Sequence, residues 1–262
     1  MGAANRCARH YVLGMRLDHI QIDQFVRQFV DAAAEGNALY CCVPDVSQCL
    51  ICYDSDEHRA IVNGADYVIS DSTVLQTARA LRCGVKPMKT VLGYEMTLKL
   101  CAKAEADGVP IALVGGRDDA VLDRIKAGLL ERFPGLQIVY AYSPPFRELS
   151  PDEEAAMLER IRSSGAQLLF VGLGCPKQER WMGRYHPQIQ AALIGVGAAF
   201  DTIGGITSPS PQIVHRLGFE WLFRLCKEPR RLYKRYLFSA PRFVYLLTAD
   251  WLKSRLTSAR GT

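Results

Sequence analysis

The chain has 262 residues, enough to bury a substantial core in one domain, or in one domain with an appendage. Its formal charge is +5, yet beyond Gly204 the acids are only Glu220, Glu228 and Asp250, so the basic excess sits in the tail and the body is slightly acidic. No segment reaches the roughly 18 to 20 apolar residues of a spanning helix, which excludes a helical crossing of a bilayer but not contact with one.

Elements follow in alternation. Residues 1–15 read as loosely ordered. Ile22, Phe25, Val26, Phe29 and Val30 have helical spacing within Ile20–Ala34. Leu39–Val43 reads as a buried strand ending at Pro44-Asp45, with a helix over Val46–Tyr53. Tyr67–Ser70 is a short strand followed by Asp71-Ser72 and a helix over Thr73–Arg82, and 84–92 is a lysine-bearing loop. Ile111–Val114 is a strand closed by Gly115-Gly116. A helix over Asp119–Phe133 stops at Pro134-Gly135. Gln137–Ala141 is a strand that leads into Ser143–Phe146. Ser150 and Glu153 form a capping box for a helix over Pro151–Ser163. Leu168–Val171 and Ala192–Val196 complete the strands. Such alternation, with Gly or Pro at strand ends, predicts an α/β, doubly wound, mostly parallel Rossmann-like sheet covered on both faces. It spans residues 1–207. Residues 208–262 form a basic, aromatic helical appendage in which Pro229 and Pro241 separate the helices.

Val171-Gly172-Leu173-Gly174-Cys175-Pro176-Lys177-Gln178-Glu179-Arg180-Trp181 is the most specific string. A buried strand ends in glycines and delivers polar side chains, as at a ligand site on the carboxyl edge of a parallel sheet. With Ser143–Phe146, Gly195–Asp201, Gly218–Leu225 and Glu228–Arg231, it resembles the bacterial WecG/TagA/CpsF glycosyltransferase family from about Asn37 to Tyr236. That resemblance implies an inverting, metal-independent enzyme. Such an enzyme moves a sugar from a UDP-sugar to a polyprenyl-diphosphate-linked sugar in surface-polysaccharide assembly, peripheral on the inner face of the cell membrane. It also implies an assembly, a homo-oligomer, that rearranges where the tail meets membrane. UDP-sugar is the donor substrate and no cofactor is expected.

Inverting transfer needs a base for the acceptor hydroxyl and donors or positive charge for the leaving diphosphate. Asp71, just beyond a strand, fits either an N-cap for the next helix or that base, and the resemblance favours the base. Asp45 stands where the family has an asparagine, in Val43-Pro44-Asp45 rather than Thr-x-Asn, and is a second candidate base. Gln178 matches a family active-site glutamine. Gly115 and Gly116 can turn backbone amides toward a diphosphate, and Tyr142 can wall a nucleotide pocket. Lys177 supplies a donor to phosphate or sugar oxygens, and Asp201, read as ending the strand Ala192–Val196 after a glycine-rich turn, is a partner for uracil or ribose. Lys89 stands near the family's arginine, which is Thr90 here. Arg224, Arg231, Lys234 and Arg235 match basic residues that the family folds over the cleft to hold a diphosphate.

The altered polar positions fit different sugars on the same scaffold. They also fit a catalytically impaired nucleotide-sugar-binding or scaffold protein. The basic-aromatic tail suits anionic lipid headgroups, and no nucleic-acid motif accompanies it. The odd number of cysteines, most of them in apolar runs, and the lack of a signal peptide suit a reducing cytoplasm. The five histidines do not cluster along the chain. Asp54-Ser55-Asp56 has DxD spacing but sits at a helix end, so no metal is expected.

Overall fold

A computed structural model describes residues 8–88, 90–211, 213–214, 220–227 and 229–259, parts of the last two stretches as backbone only. The chain opens with strands β1 (Ala8–Val12) and β2 (Met15–His19). It continues with α1 (Ile22–Ala34), β3 (Leu39–Cys42), α2 (Val46–Asp54), α3 (Asp56–Gly64), β4 (Tyr67–Val68), α4 (Thr73–Cys83) and α5 (Gly93–Asp107). Next come β5 (Ile111–Gly115), α6 (Asp119–Arg132), β6 (Ile138–Tyr142), α7 (Pro151–Ser163), β7 (Leu168–Gly172), α8 (Lys177–Tyr185), β8 (Ala192–Gly195) and α9 (Ala199–Ile203). The tail holds α10 (Glu220–Lys227) and α11 (Pro229–Ala259).

Six strands form one all-parallel sheet in the order β4-β3-β8-β7-β5-β6. Successive strand residues point to opposite faces, and both faces are packed. Cys41, Leu113, Leu168 and Ile194 meet Phe25 and Phe29 of α1, Leu100 of α5, Ile125 of α6 and Phe200 of α9. Cys42, Ala112, Leu169 and Leu193 meet Cys49 and Cys52 of α2, Val62 of α3, Leu158 of α7, Met182 of α8 and Phe243 of α11. The predicted doubly wound sheet is therefore present. The capping box of α7 is made in full, with Ser150 accepting from the Glu153 N–H and the Glu153 carboxylate accepting from the Ser150 N–H.

Three expectations need correction. Residues 8–15 are not loose: β1 and β2 form an antiparallel hairpin that turns at Leu13-Gly14, both with positive φ. A buried ion pair fastens it. Arg16 Nε lies 3.0 Å from Asp18, Arg16 Nη2 donates to the Ala65 carbonyl at 2.5 Å, and Asp18 accepts from the Val68 N–H at 2.8 Å. The polar Arg-x-Asp hid a strand whose charges are satisfied inside. Pro241 does not separate helices but lies within α11. The residues just after it, Arg242 and Phe243, are anchored to the core, so tertiary contacts hold the chain helical through the missing hydrogen bond. Asp201 belongs to the short helix α9 rather than to a strand end.

Candidate functional site

All six parallel strands end on one edge, and the sequence candidates gather there in three groups. The first surrounds Asp71, just past β4. Ser72, not Asp71, caps α4, its hydroxyl accepting from the Leu75 N–H at 3.4 Å. Asp71 Oδ2 instead accepts from the Gly93 N–H at the start of α5, at 3.1 Å. Its neighbour Ser70 donates to the Pro44 carbonyl at 2.7 Å, which binds the ends of β3 and β4 together. Asp18, Ile20, Ile69, Gln76, Thr90 and Val91 line a small cleft with Asp71. Thr90 and Thr73 share a hydroxyl–hydroxyl bond of 3.1 Å, which ties the 84–92 loop to α4. Lys89 lies outside the described residues.

The second group lies at the ends of β3, β7 and β8. Asp45 caps α2, accepting from the Gln48 N–H at 2.9 Å. Asp and Asn cap about equally well, so this part of the departure from the family pattern is structurally silent. Gln178 is only 4% exposed and packs beside Gly195, where a side chain on the glycine would meet its amide at 2.8 Å. Gln178 Nε2 donates to Glu179 Oε1 at 2.8 Å. Glu179 is fully buried, and burial pushes its carboxyl above the usual range, with the negative charge of Asp45 adding to the effect. Sequence reasoning missed Glu179, although a carboxylate inside an otherwise polar turn of the most specific string was the available signal. Lys177 is exposed at the first turn of α8.

The third group occupies the crevice between β5 and β7. From β5 the chain runs outward to β6, whereas from β7 it returns toward β8, so this is a topological switch point. Gly115 (φ 141°) approaches β7 so closely that a Cβ would sit 2.6 Å from the Gly172 carbonyl oxygen. Gly116 follows with φ 87° and its carbonyl accepts from the Ser143 hydroxyl at 3.4 Å. Arg117, another residue the sequence reading passed over, holds Asp201 through two bonds of 3.2 and 3.0 Å. Asp201 thus meets a guanidinium at the mouth of the crevice. Tyr142, half-buried at the end of β6, stacks on Tyr140 with ring centroids 6.4 Å apart. Burial raises its phenol above the ordinary range.

The structure thus brings Asp45, Gln178 and Glu179 together, and separately Gly115, Gly116 and Asp201, while Asp71 has its own cleft. The side chains of Arg224, Arg231, Lys234 and Arg235 lie outside what is described, although the backbone at each of them is helical.

An all-parallel sheet with polar groups gathered along its carboxyl edge and a glycine-lined switch point is an α/β architecture whose ligand sites lie at the strand ends. The chain matches the glycosyl transferase WecG/TagA/CpsF family over residues 10–257 and belongs to it. It is therefore a glycosyltransferase of bacterial cell-surface polysaccharide synthesis.

Proposed function

We propose that the protein transfers a sugar from a UDP-sugar to a polyprenyl-diphosphate-linked saccharide with inversion, using Asp71 as the base. Asp71 removes the proton of the acceptor hydroxyl as its oxygen bonds to the anomeric carbon. The bond from that carbon to the diphosphate breaks, and its electron pair leaves with UDP. The observation that carries this reading is the placement of Asp71. Its carboxylate sits past a strand end, oriented by the Gly93 N–H, while Ser72 does the capping. Asp45 is engaged as a helix cap and so suits the role less. The glycine crevice at Gly115-Gly116, with the Arg117–Asp201 pair at its mouth and Tyr142 at the end of the neighbouring strand β6, suits the diphosphate and nucleoside of the donor, and the exposed Lys177 can add charge. Gln178 positions the turn between the two regions, and the bases of the tail contribute further charge to the acceptor diphosphate.

Residues 1–207 act as the catalytic body, and the tail brings it to an anionic membrane surface from the cytoplasmic side. No helix among the described residues is long and apolar enough to cross a membrane. Phe238, Tyr245 and Leu252, seven residues apart along α11, lie on one helix face and are 68, 70 and 54% exposed. An apolar face of this kind, on a tail whose sequence is rich in lysine and arginine, is what interfacial binding uses.

The test is Asp71→Asn, assayed by mass spectrometry with a panel of UDP-sugars and short polyprenyl-diphosphate acceptors. Loss of a general base costs roughly 10² to 10⁴ in turnover. The expected result is that loss with UDP-sugar binding retained. Turnover at the wild-type rate would remove Asp71 from the role.

A further inference from the structure

Five buried polar atoms make no hydrogen bond of normal geometry around the first turn of α8: Gln48 Nε2, both ring nitrogens of His58, Gln178 Oε1 and Glu179 Oε2. Native interiors satisfy such groups, so a cluster of them calls for a reason. His58 and Glu179 are both fully buried and come from different elements, the first turn of α3 and the first turn of α8. Cys175, in the turn after β7, joins them from the solvent side. One ligand atom from each of the three lies within 4.8 Å of the others.

We propose that His58, Cys175 and Glu179 form a binding site for a thiophilic divalent cation of the Zn²⁺ class. Nitrogen, sulfur and carboxylate oxygen together match the donor preference of zinc and disfavour magnesium or calcium. Bonds of about 2.0 to 2.3 Å place the ligands of a tetrahedral ion about 3.3 to 3.8 Å apart, so rotation of side chains closes the present spacing. The exposed Cys175 marks the entry path and leaves the fourth position to water. Glu179 Oε1 already accepts from Gln178, which leaves Oε2 for the ion, and this outer bond orients the ligand. The ion would pin α3 to the turn that carries Lys177 and Gln178. It takes no part in the transfer proposed above, which neither requires nor excludes it. The sequence hid the site because its members are 117 and 4 residues apart along the chain (58 to 175, 175 to 179).

Metal-free full-length protein titrated with Co²⁺ and followed by absorption tests this. One equivalent should give d–d bands of tetrahedral intensity with a thiolate-to-cobalt charge-transfer band, and Zn²⁺ should displace both. Cys175→Ser, a surface change that leaves the core intact, should abolish the charge-transfer band. His58→Ala should weaken binding roughly tenfold or more. Cys83→Ser and Cys226→Ser should leave the spectrum unchanged. Absence of the bands in the wild type would overturn the site and assign the polar atoms to bridging water, and so would a charge-transfer band that survives Cys175→Ser.

Discussion

Asp71 and Asp45 look alike in the sequence, each an aspartate just past a buried strand, and the fold gives them different work. One caps a helix, while the other is held by the first N–H of α5, across a loop. Which aspartate would cap could not be read locally, because Ser72 is an equally good cap one residue later. Glu153 was legible, since its box is a local pattern. Arg147 adds what that pattern omits, a fork of two bonds at 2.7 and 2.6 Å. With the Ser150 N–H, Arg147 draws the Glu153 carboxyl down to about 2. A depressed acid contributes stability that is present above its unfolded value and is lost as pH falls through about 2. Carboxyl chemical shifts should therefore report a Glu153 midpoint near 2, and in Arg147→Ala that midpoint should rise toward ordinary glutamate. The cysteines make a similar point. Cys49 and Cys52 carry the C-x-x-C spacing of a redox dithiol, but burial in the core pushes both thiols up to about 12. At neutral pH, mapping with a thiol reagent on metal-free native protein should label Cys175 and Cys226, which are exposed, and leave Cys49, Cys52 and Cys101 unmodified.

At the scale of elements, the strands of the sheet were the most legible, because a strand buried on both faces is an apolar run punctuated by glycine or proline. Helices α3 and α5 and the β1–β2 hairpin were not. In α3 the apolar positions are sparse, and a buried histidine and an internal asparagine interrupt them. The hairpin buries an ion pair where a pattern reader expects a surface. The β5–β7 crevice depends on something no single-residue pattern conveys, which is the absence of side chains on both sides. A Cβ at Gly172 would enter the Phe200 ring, and one at Gly115 would strike backbone. Gly115→Ala should cost about 1 to 3 kcal/mol from overpacking, and more from its positive φ. Chemical denaturation would measure this, with donor binding falling in parallel. An alanine accommodated without loss of stability or of donor binding would show that the close approach is not needed.

Over the whole molecule, the tail is both attached and displayed. Arg242 donates to Asp54 of α2, Arg82 of α4 lies 2.7 Å from Asp250, and Phe243 is buried with Leu246 and Leu247 packed beside it. A cut near residue 207 would therefore strip cover from the core as well as remove the proposed membrane contact, and point changes separate the two. Phe243→Ala should destabilise the fold by about 3 to 5 kcal/mol, seen as a lowered thermal midpoint. Replacing Phe238, Tyr245 and Leu252 together with serine should leave that midpoint nearly unchanged. Sedimentation with anionic vesicles should fall at least tenfold. Equal sedimentation of this variant and the wild type would refute a lipid role for that face.

The hairpin at the start of the chain carries a consequence for function. Asp18, neutralised by Arg16 and fixed to the Val68 N–H beside β4, also lines the cleft of Asp71. One wall of the cleft that holds the proposed base is thus borrowed from a ribbon outside the main sheet, seated by Val12, Met15 and Leu17 in the core as well as by the buried ion pair. The shape of that cleft then depends on residues 8–19 staying seated. Anything that lifts this ribbon, such as a bound partner or a fused segment, would open that wall of the cleft and uncover one face of the core in the same event.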